Sequence, residues 1–237
     1  MPGARFTLEP GYLLNARPYS DSSLLCEAFT RRQGRIGFIA KGARGAKSKI
    51  RALLQPMQAL LLSWRESGEL GSLTGVEAAA PPLALAGERI FYAWYLNELV
   101  QKLLQRNDAH PELFERYAEA LEQLTGAGAE GALRIFEKHL LAETGYGLHL
   151  DVELDPTALY RYDANAGPQP GSEFLGASLI ALRDESGLDA RALSDARKLL
   201  RPLIAHQLGG KELETPKLLR QMRDTRYGIR DTEKQKS

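Results

Sequence analysis

A chain of 237 residues, 43% apolar and 26% charged, has enough material for one large or two small packed domains, which excludes global disorder. No apolar stretch approaches the roughly 20 residues needed to cross a bilayer. Met1 to Pro10 lacks an apolar run with a small-residue cleavage site, so a cytoplasmic protein without a membrane span is expected. The single cysteine, Cys26, excludes an intrachain disulfide, and His110, His139, His149 and His206 show no zinc-site spacing, so no metal or cofactor is expected. Cys26 follows Leu24-Leu25 and reads as a buried structural thiol.

The net charge of +1 conceals a segregation. Residues 1–51 hold 10 Lys/Arg against 3 Asp/Glu, a balance of +7; residues 52–190 hold 9 against 21, or −12; residues 191–237 hold 12 against 6, or +6. Basic ends around an acidic middle suggest a polyanionic partner such as nucleic acid.

In chain order, Tyr12 to Asn15, Leu24 to Thr30, Arg35 to Ala40, Leu53 to Trp64 and Leu70 to Ala80 are the predicted strands. Turn-forming segments separate them at Arg17 to Asp21, Arg32-Gln33-Gly34, Lys41 to Ile50 and Glu66-Ser67-Gly68. Five strands at this spacing, with no helical period between them, suit a small closed barrel better than a parallel sheet. Pro81-Pro82 cannot donate to a ladder and marks a domain boundary, giving 1–80 as the first domain and 81–237 as the second.

Beyond it the period becomes helical. Gly87 to Arg106 carries a broad apolar face through Phe91, Tyr95, Leu99 and Leu103 and should be largely buried. Pro111 to Leu124 opens with a favoured first-turn proline, and a third helix runs from about Glu130 to Thr144, stopped by Gly145. Residues 145–171, ending in Gly167-Pro168-Gln169-Pro170-Gly171, read as an irregular insertion. A fourth helix spans Asp189 to Leu208 with Pro202 kinking it. Thr215-Pro216 opens a short basic helix, and Asp224 to Ser237 is polar and frays.

Catalytic signatures are weak. Gly37 to Ser48 fails the phosphate-loop pattern in both frames, because Ala46 separates Gly45 from Lys47 and Ala43 follows Gly42. There is no nucleophile-elbow motif, and acidic pairs such as Asp184-Glu185 read as solvated surface. His139, beside Phe136, reads as a boundary histidine. The informative segment is Lys41 to Arg51, five cations in eleven residues with no acid and with two glycines to loosen the backbone. Such a loop can follow an irregular line of phosphates. Arg31, Arg32 and Arg35 make a second basic cluster, to which Arg5 and Arg17 add. Tyr19 could stack on an unpaired base if exposed, whereas Trp64 reads as core.

These residues also carry a resemblance. Gly11-Tyr12-Leu13-Leu14, Arg17-Pro18-Tyr19-Ser20, Ser23-Leu24-Leu25, Ala40 to Arg44, Lys47-Ser48 and Leu54-Gln55-Pro56 resemble the opening of the RecO DNA repair proteins. Tyr95 to Leu99, Leu133-Arg134, Phe136-Glu137, Thr144 to Gly147, Leu208 to Lys211 and Thr215 to Leu219 continue it in order. The resemblance implies an α+β protein, an N-terminal five-stranded OB-fold β-barrel followed by an α-helical C-terminal domain. It also implies a non-enzymatic recombination mediator that binds single- and double-stranded DNA and anneals complementary strands. With RecR and single-strand-binding protein it would load the recombinase, in the bacterial cytoplasm and at the nucleoid during repair. Many members carry a four-cysteine zinc module after the third helix; this chain has no cysteine between Gly145 and Asp189 and resembles the zinc-free branch. The family's Ser-Arg before its closing Leu-Leu is replaced by Thr215-Pro216-Lys217.

The expected DNA-binding face comprises Arg31, Arg35, Lys41, Arg44, Lys47, Lys49 and Arg51, neutralising phosphates of separated strands. The acidic, apolar tail of single-strand-binding protein would need a cation beside an apolar pocket, for which Arg134 and Lys138, one helical turn apart, are the candidates. The alternatives are an OB-fold module for structured RNA, or a metal-dependent nuclease.

Overall fold

The computed structural model describes residues 3–45 and 47–222; the expectation for Asp224 to Ser237 lies outside them. Five strands close a barrel: β1 (Arg5–Pro18), β2 (Leu24–Thr30), β3 (Gly34–Ala40), β4 (Ala59–Ser67) and β5 (Leu70–Ala78), in spatial order β1-β2-β3-β5-β4. All neighbours are antiparallel except β3 and β5, where Phe38 lies opposite Gly71 and Ile39 opposite Ser72. Closure depends on β1, whose 14 residues pair with both β2 and β4. Register shifts at Phe6/Glu9 and Leu13/Asn15 let it bend round. Glycine is required at Gly71 by close approach, since a Cβ there would lie 2.8 Å from the Trp64 ring. Leu13, Cys26, Ala28, Ile36, Phe38, Leu60, Leu62 and Trp64 fill the interior. Burial, then the charge of Glu27, pushes the Cys26 thiol up to about 12, so it is inert packing material.

The fourth strand starts later than Leu53. Residues Ile50–Ala52 form a short 3-10 turn, and Met57 takes a left-handed φ of 65°. Met57 N–H donates to the Leu13 carbonyl at 2.7 Å, and Leu13 N–H donates to the Gln58 carbonyl at 3.2 Å. Pro56 has no N–H to offer a ladder, so the apolar run from Leu53 is spent on a turn seated against β1 before pairing begins with Ala59 opposite Tyr12.

After the linker come α1 (Glu88–Leu103), α2 (Pro111–Gln123) and α3 (Ala129–Glu143). Tyr117 on α2 is fully buried where these helices meet the barrel, its ring 5.2 Å from Tyr12, 5.8 Å from Phe29 and 5.9 Å from Phe136. Leu14 and Phe29, on the outer side of β1 and β2, belong to the same apolar cluster as Leu96, Leu113, Leu121 and Leu140. The barrel and the helices therefore share one core. On α1, Ala93, Leu96, Leu99 and Val100 are buried; of the expected stripe only Leu99 is fully covered, Phe91, Tyr95 and Leu103 being half-buried, and Trp94 is exposed with Phe91 against it.

The stretch 145–171 is not irregular throughout. It contains β6 (Leu159–Asp163) and β7 (Gly167–Pro170), which with β8 (Phe174–Leu175) form a three-stranded sheet in the order β7-β6-β8. Asp163 Oδ1 accepts from the N–H groups of Asn165 and Ala166 at 2.9 and 3.0 Å, closing the hairpin, and Gly167 supplies φ of 71°. Pro168 and Pro170 are tolerated because β7 is an edge strand. Then come α4 (Gly176–Arg183), unpredicted because it is only eight residues long, and α5 (Ala190–Gln207), which continues through Pro202. Residues 214–222 are helical. No helix among the described residues is long and apolar enough to cross a membrane. Among the described residues no cluster of three or more His, Cys, Asp or Glu is arranged for a metal ion.

Candidate nucleic-acid interface

The segment Lys41–Arg51 leaves β3 at Ala40 and crosses the end of the barrel. Gly42 turns the chain at φ of 71°, Ala43 is buried in the barrel core, and Arg44 N–H donates to the Ser22 carbonyl at 2.9 Å. The loop is thus pinned at its middle to the β1–β2 turn. The Arg44 guanidinium folds back onto the Ser20 carbonyl. Lys41, Lys47, Lys49 and Arg51 are exposed and have no carboxylate partner among the described residues. Beside this cluster Tyr19 is half exposed, its N–H bonded to the Ser23 carbonyl at 3.1 Å. Trp64 is inside the barrel, stacked on Phe6 at 4.5 Å.

The other two residues of the expected face do not join it. Arg31 and Arg35 flank the β2–β3 turn, at the opposite end of β3 from Lys41 and about 20 Å away along a seven-residue strand. Arg35 Nη1 contacts Glu27 Oε2 at 3.1 Å and its Nε donates to the Leu104 carbonyl at 3.3 Å. Arg106 bonds the other Glu27 oxygen, and Arg31 pairs with Glu115 of α2 at 2.8 Å. Arg32 wraps the buried Glu9 through its main-chain N–H, its Nε and an Nη, and that hydrogen bond raises its pKa further. The turn docks the barrel on the α1–α2 linker: Asn107 N–H donates to the Arg35 carbonyl at 2.9 Å. A Cβ on Gly34, whose φ is 62°, would lie 1.7 Å from the Asp108 carbonyl oxygen. Of the seven cations, Lys41, Lys47, Lys49 and Arg51 therefore stand free on the loop, Arg44 lies on the Ser20 carbonyl, Arg35 is held inside the clasp, and Arg31 makes a half-exposed ion pair at its edge. Linear sequence does not show the division, because Glu27, Arg106 and Glu115 meet the turn only in the fold.

Arg17 faces a cleft of about 410 Å³ between the barrel and α1, lined also by Arg35, Glu27, Glu98, Lys102 and Glu214. The sequence reading passed over Arg65, exposed on β4 directly opposite Arg5. Only the β1–β4 register reveals that juxtaposition.

On α3, Arg134 is not at the surface: its side chain is 8% exposed and its Nη2 lies 3.0 Å from Glu137 Oε1, to which the Tyr95 hydroxyl also donates at 2.6 Å. Arg134 Nε and Glu137 Oε2 are buried without a partner. Burial pushes the Glu137 carboxyl up, against the opposing pull of Arg134 and the Tyr95 hydrogen bond. Lys138 Nζ sits 2.6 Å from Glu185 Oε1 and donates to the Leu182 and Arg183 carbonyls at 3.2 and 3.0 Å, capping α4. His139 Nε2 also lies 2.6 Å from Glu185 Oε1. Arg134 and Lys138 both serve internal contacts, one beneath the helix and one at its side.

Comparison with known proteins agrees with this architecture. Residues 5–82 match the family profile for the recombination protein O N terminal, and residues 85–156 match that for the recombination protein O C terminal. A DNA repair protein RecO from Methylococcus capsulatus is 43% identical over 228 residues, covering 92% of this chain and 94% of the relative. Those from Thiobacillus denitrificans, 39% identical over 239 residues and covering 92% and 93%, and Nitrosococcus oceani, 40% over 233 residues and covering 92% and 95%, are similarly related. With an N-terminal barrel, a helical second half and this similarity along nearly its whole length, the chain belongs to the RecO family of DNA repair and recombination proteins.

Proposed function

We propose that this chain is a recombination mediator that binds single- and double-stranded DNA, anneals complementary strands and, with RecR, helps load recombinase onto DNA coated by single-strand-binding protein. The observation that carries the reading is the loop 41–51: Lys41, Lys47, Lys49 and Arg51 stand exposed and free of carboxylates among the described residues, next to the exposed ring of Tyr19. Unpaired cations on a pinned loop neutralise phosphates without reading sequence, and an exposed ring offers a stacking platform to any base. Two strands whose backbones are neutralised lose the repulsion that slows their pairing, so annealing needs no bond chemistry. Such a protein acts in the cytoplasm, at the nucleoid during repair, and is not an enzyme.

The Arg134–Glu137 and Lys138–Glu185 pairs favour internal roles for these cations. Binding of the acidic tail of single-strand-binding protein at this place would require Glu137 or Glu185 to release its partner. A charge-reversed Arg134 with wild-type affinity for the tail peptide excludes the contact.

The test of the main reading is fluorescence anisotropy of labelled single strands against salt, with Lys41, Arg44 and Lys47 replaced together by alanine. Affinity for all sequences should fall alike, and the slope of log K on log salt should flatten by about 2, at roughly 0.7 per lost phosphate contact. An unchanged slope rejects the loop as the interface.

A further inference from the structure

On the β1–β4 ladder Arg5 lies directly opposite Arg65. The next pair along, Phe6 and Trp64, is stacked inside the barrel with ring centroids 4.5 Å apart and planes at 17°. Side chains alternate across a strand, so Arg5 and Arg65 both project from the outer face. Both are exposed, and neither has a carboxylate partner among the described residues. Glu66, adjacent in sequence, directs its Oε2 to the Ala4 N–H at 3.3 Å. Like charges directly opposite on an antiparallel pair repel and destabilise the ladder. An anion placed between them reverses the sign of that interaction, and two planar guanidinium forks match the oxygens of a phosphate.

The register also connects this pair to the basic loop. Arg65 is opposite Ser72 on β5, and Ser72 is opposite Ile39 on β3, two residues before Lys41. From β1 across β4 and β5 to β3 is three strand spacings, about 14 Å. The outward positions on β5 along this line are Ser72 and Thr74, short hydroxylic side chains that let a backbone pass close by. A single strand leaving the loop thus meets a neutral, low ridge and then two arginines.

We propose that Arg5 and Arg65 form a phosphate clamp for the same single strand that loop 41–51 contacts, so that the bound nucleic acid crosses β3, β5, β4 and β1 transversely. The clamp rests on the DNA-binding reading given above and extends it to a second anchoring point. An OB-type barrel occupies roughly 4–16 nucleotides, so a strand of about 20 nucleotides reaches both anchors, whereas one of about 2, at roughly 3.4 Å per stacked nucleotide, is shorter than the gap and sits on the loop alone.

The full chain is compared with Arg5→Ala/Arg65→Ala, Arg5→Lys/Arg65→Lys and Lys41→Ala/Arg44→Ala/Lys47→Ala, using oligothymidylates of these two lengths. The arginine-to-alanine pair should weaken the long strand on the order of ten-fold at low salt and lower the salt slope by about 1.4, with the short strand unaffected. The lysine pair should keep the slope, because it keeps the charge; a slope lost there overturns the clamp. The thermal midpoint of the alanine pair should be unchanged or raised, since it removes a repulsion, and a lowered midpoint instead assigns the arginines a structural role. Wild-type binding of the long strand by the alanine pair, with the loop variant weakened, sinks the clamp alone. If the loop variant also binds as wild type, the reading of the barrel as a DNA-binding surface fails.

Discussion

Asn97, buried on α1, donates its side-chain amide to the Leu14 carbonyl of β1 at 2.9 Å while its side-chain oxygen accepts from the Tyr117 hydroxyl of α2. One amide therefore satisfies a barrel carbonyl and a helical hydroxyl, both removed from water. Replacing it with leucine leaves both unpartnered at about 1–3 kcal/mol each. For a chain of this size each kcal/mol shifts the thermal midpoint by roughly 2–4 °C. Asn97→Leu should therefore lower the midpoint of a calorimetric scan by about 4–24 °C. A shift under about 2 °C would mean that water reaches this junction.

Arg35 and the loop lysines should separate cleanly in experiment. Arg35→Ala removes a clasp on Glu27 and on the Leu104 carbonyl, so it should lower stability by roughly 1–3 kcal/mol in urea denaturation and leave the salt slope of DNA binding intact. The alanine triple at Lys41, Arg44 and Lys47 should do the reverse. Equal loss of salt slope in both would place the β2–β3 turn on the DNA after all.

The Arg134–Glu137 pair offers a test of buried charge. Glu137→Ala leaves a buried guanidinium unpaired and should cost about 3–5 kcal/mol, whereas Arg134→Met with Glu137→Leu should cost no more than the about 1–3 kcal/mol of the Tyr95 hydroxyl left without its acceptor. Because burial raises the Glu137 pKa above its unfolded value, the folded state holds the proton more tightly, and this group's contribution to stability decreases as pH rises through the folded pKa. A pH series of denaturation midpoints, comparing wild type with the double replacement, reads that difference directly.

Glu98 titrates in the opposite direction. Burial pushes its carboxyl up, but the N–H groups of Glu214 and Thr215, the Thr215 hydroxyl and Lys102 together outweigh it and bring it below the ordinary value. Its main-chain contacts are 2.8 and 2.9 Å long and hold the start of the helical segment 214–222. A lowered pKa gives stability that is present above the usual carboxylate range and lost as pH falls through the folded pKa. Hydrogen exchange of residues 214–222 should therefore accelerate in acid, and Glu98→Gln should show fast exchange already at neutral pH. Exchange independent of pH in the wild type, once corrected for intrinsic rates, would rule out this anchor.

What the sequence reveals and what it hides follow from the range of the interactions. The barrel strands and the four longer helices have local causes, alternation, periodicity and turn chemistry: the second, third and fifth predicted strands fall within a few residues of their places, whereas β1 begins at Arg5 rather than Tyr12 and β4 at Ala59 rather than Leu53. The β6–β7 hairpin escaped because its prolines argue against a strand unless that strand is known to lie at an edge, and edges are set by tertiary order. Among the site residues, Lys41 and Lys47 could be read as phosphate contacts from local composition alone. That Arg35 is captured by Glu27, and that Arg5 faces Arg65, depends on partners 8 and 60 positions away, beyond any local pattern.

Leu14, Phe29 and Tyr12 lie on the outside of the barrel yet inside the protein, because α1 and α2 cover them. A fragment ending near residue 80 would turn this covered side into a sticky aromatic surface, prone to clump with its own copies. Heating the whole chain should correspondingly melt both halves together in one sharp step.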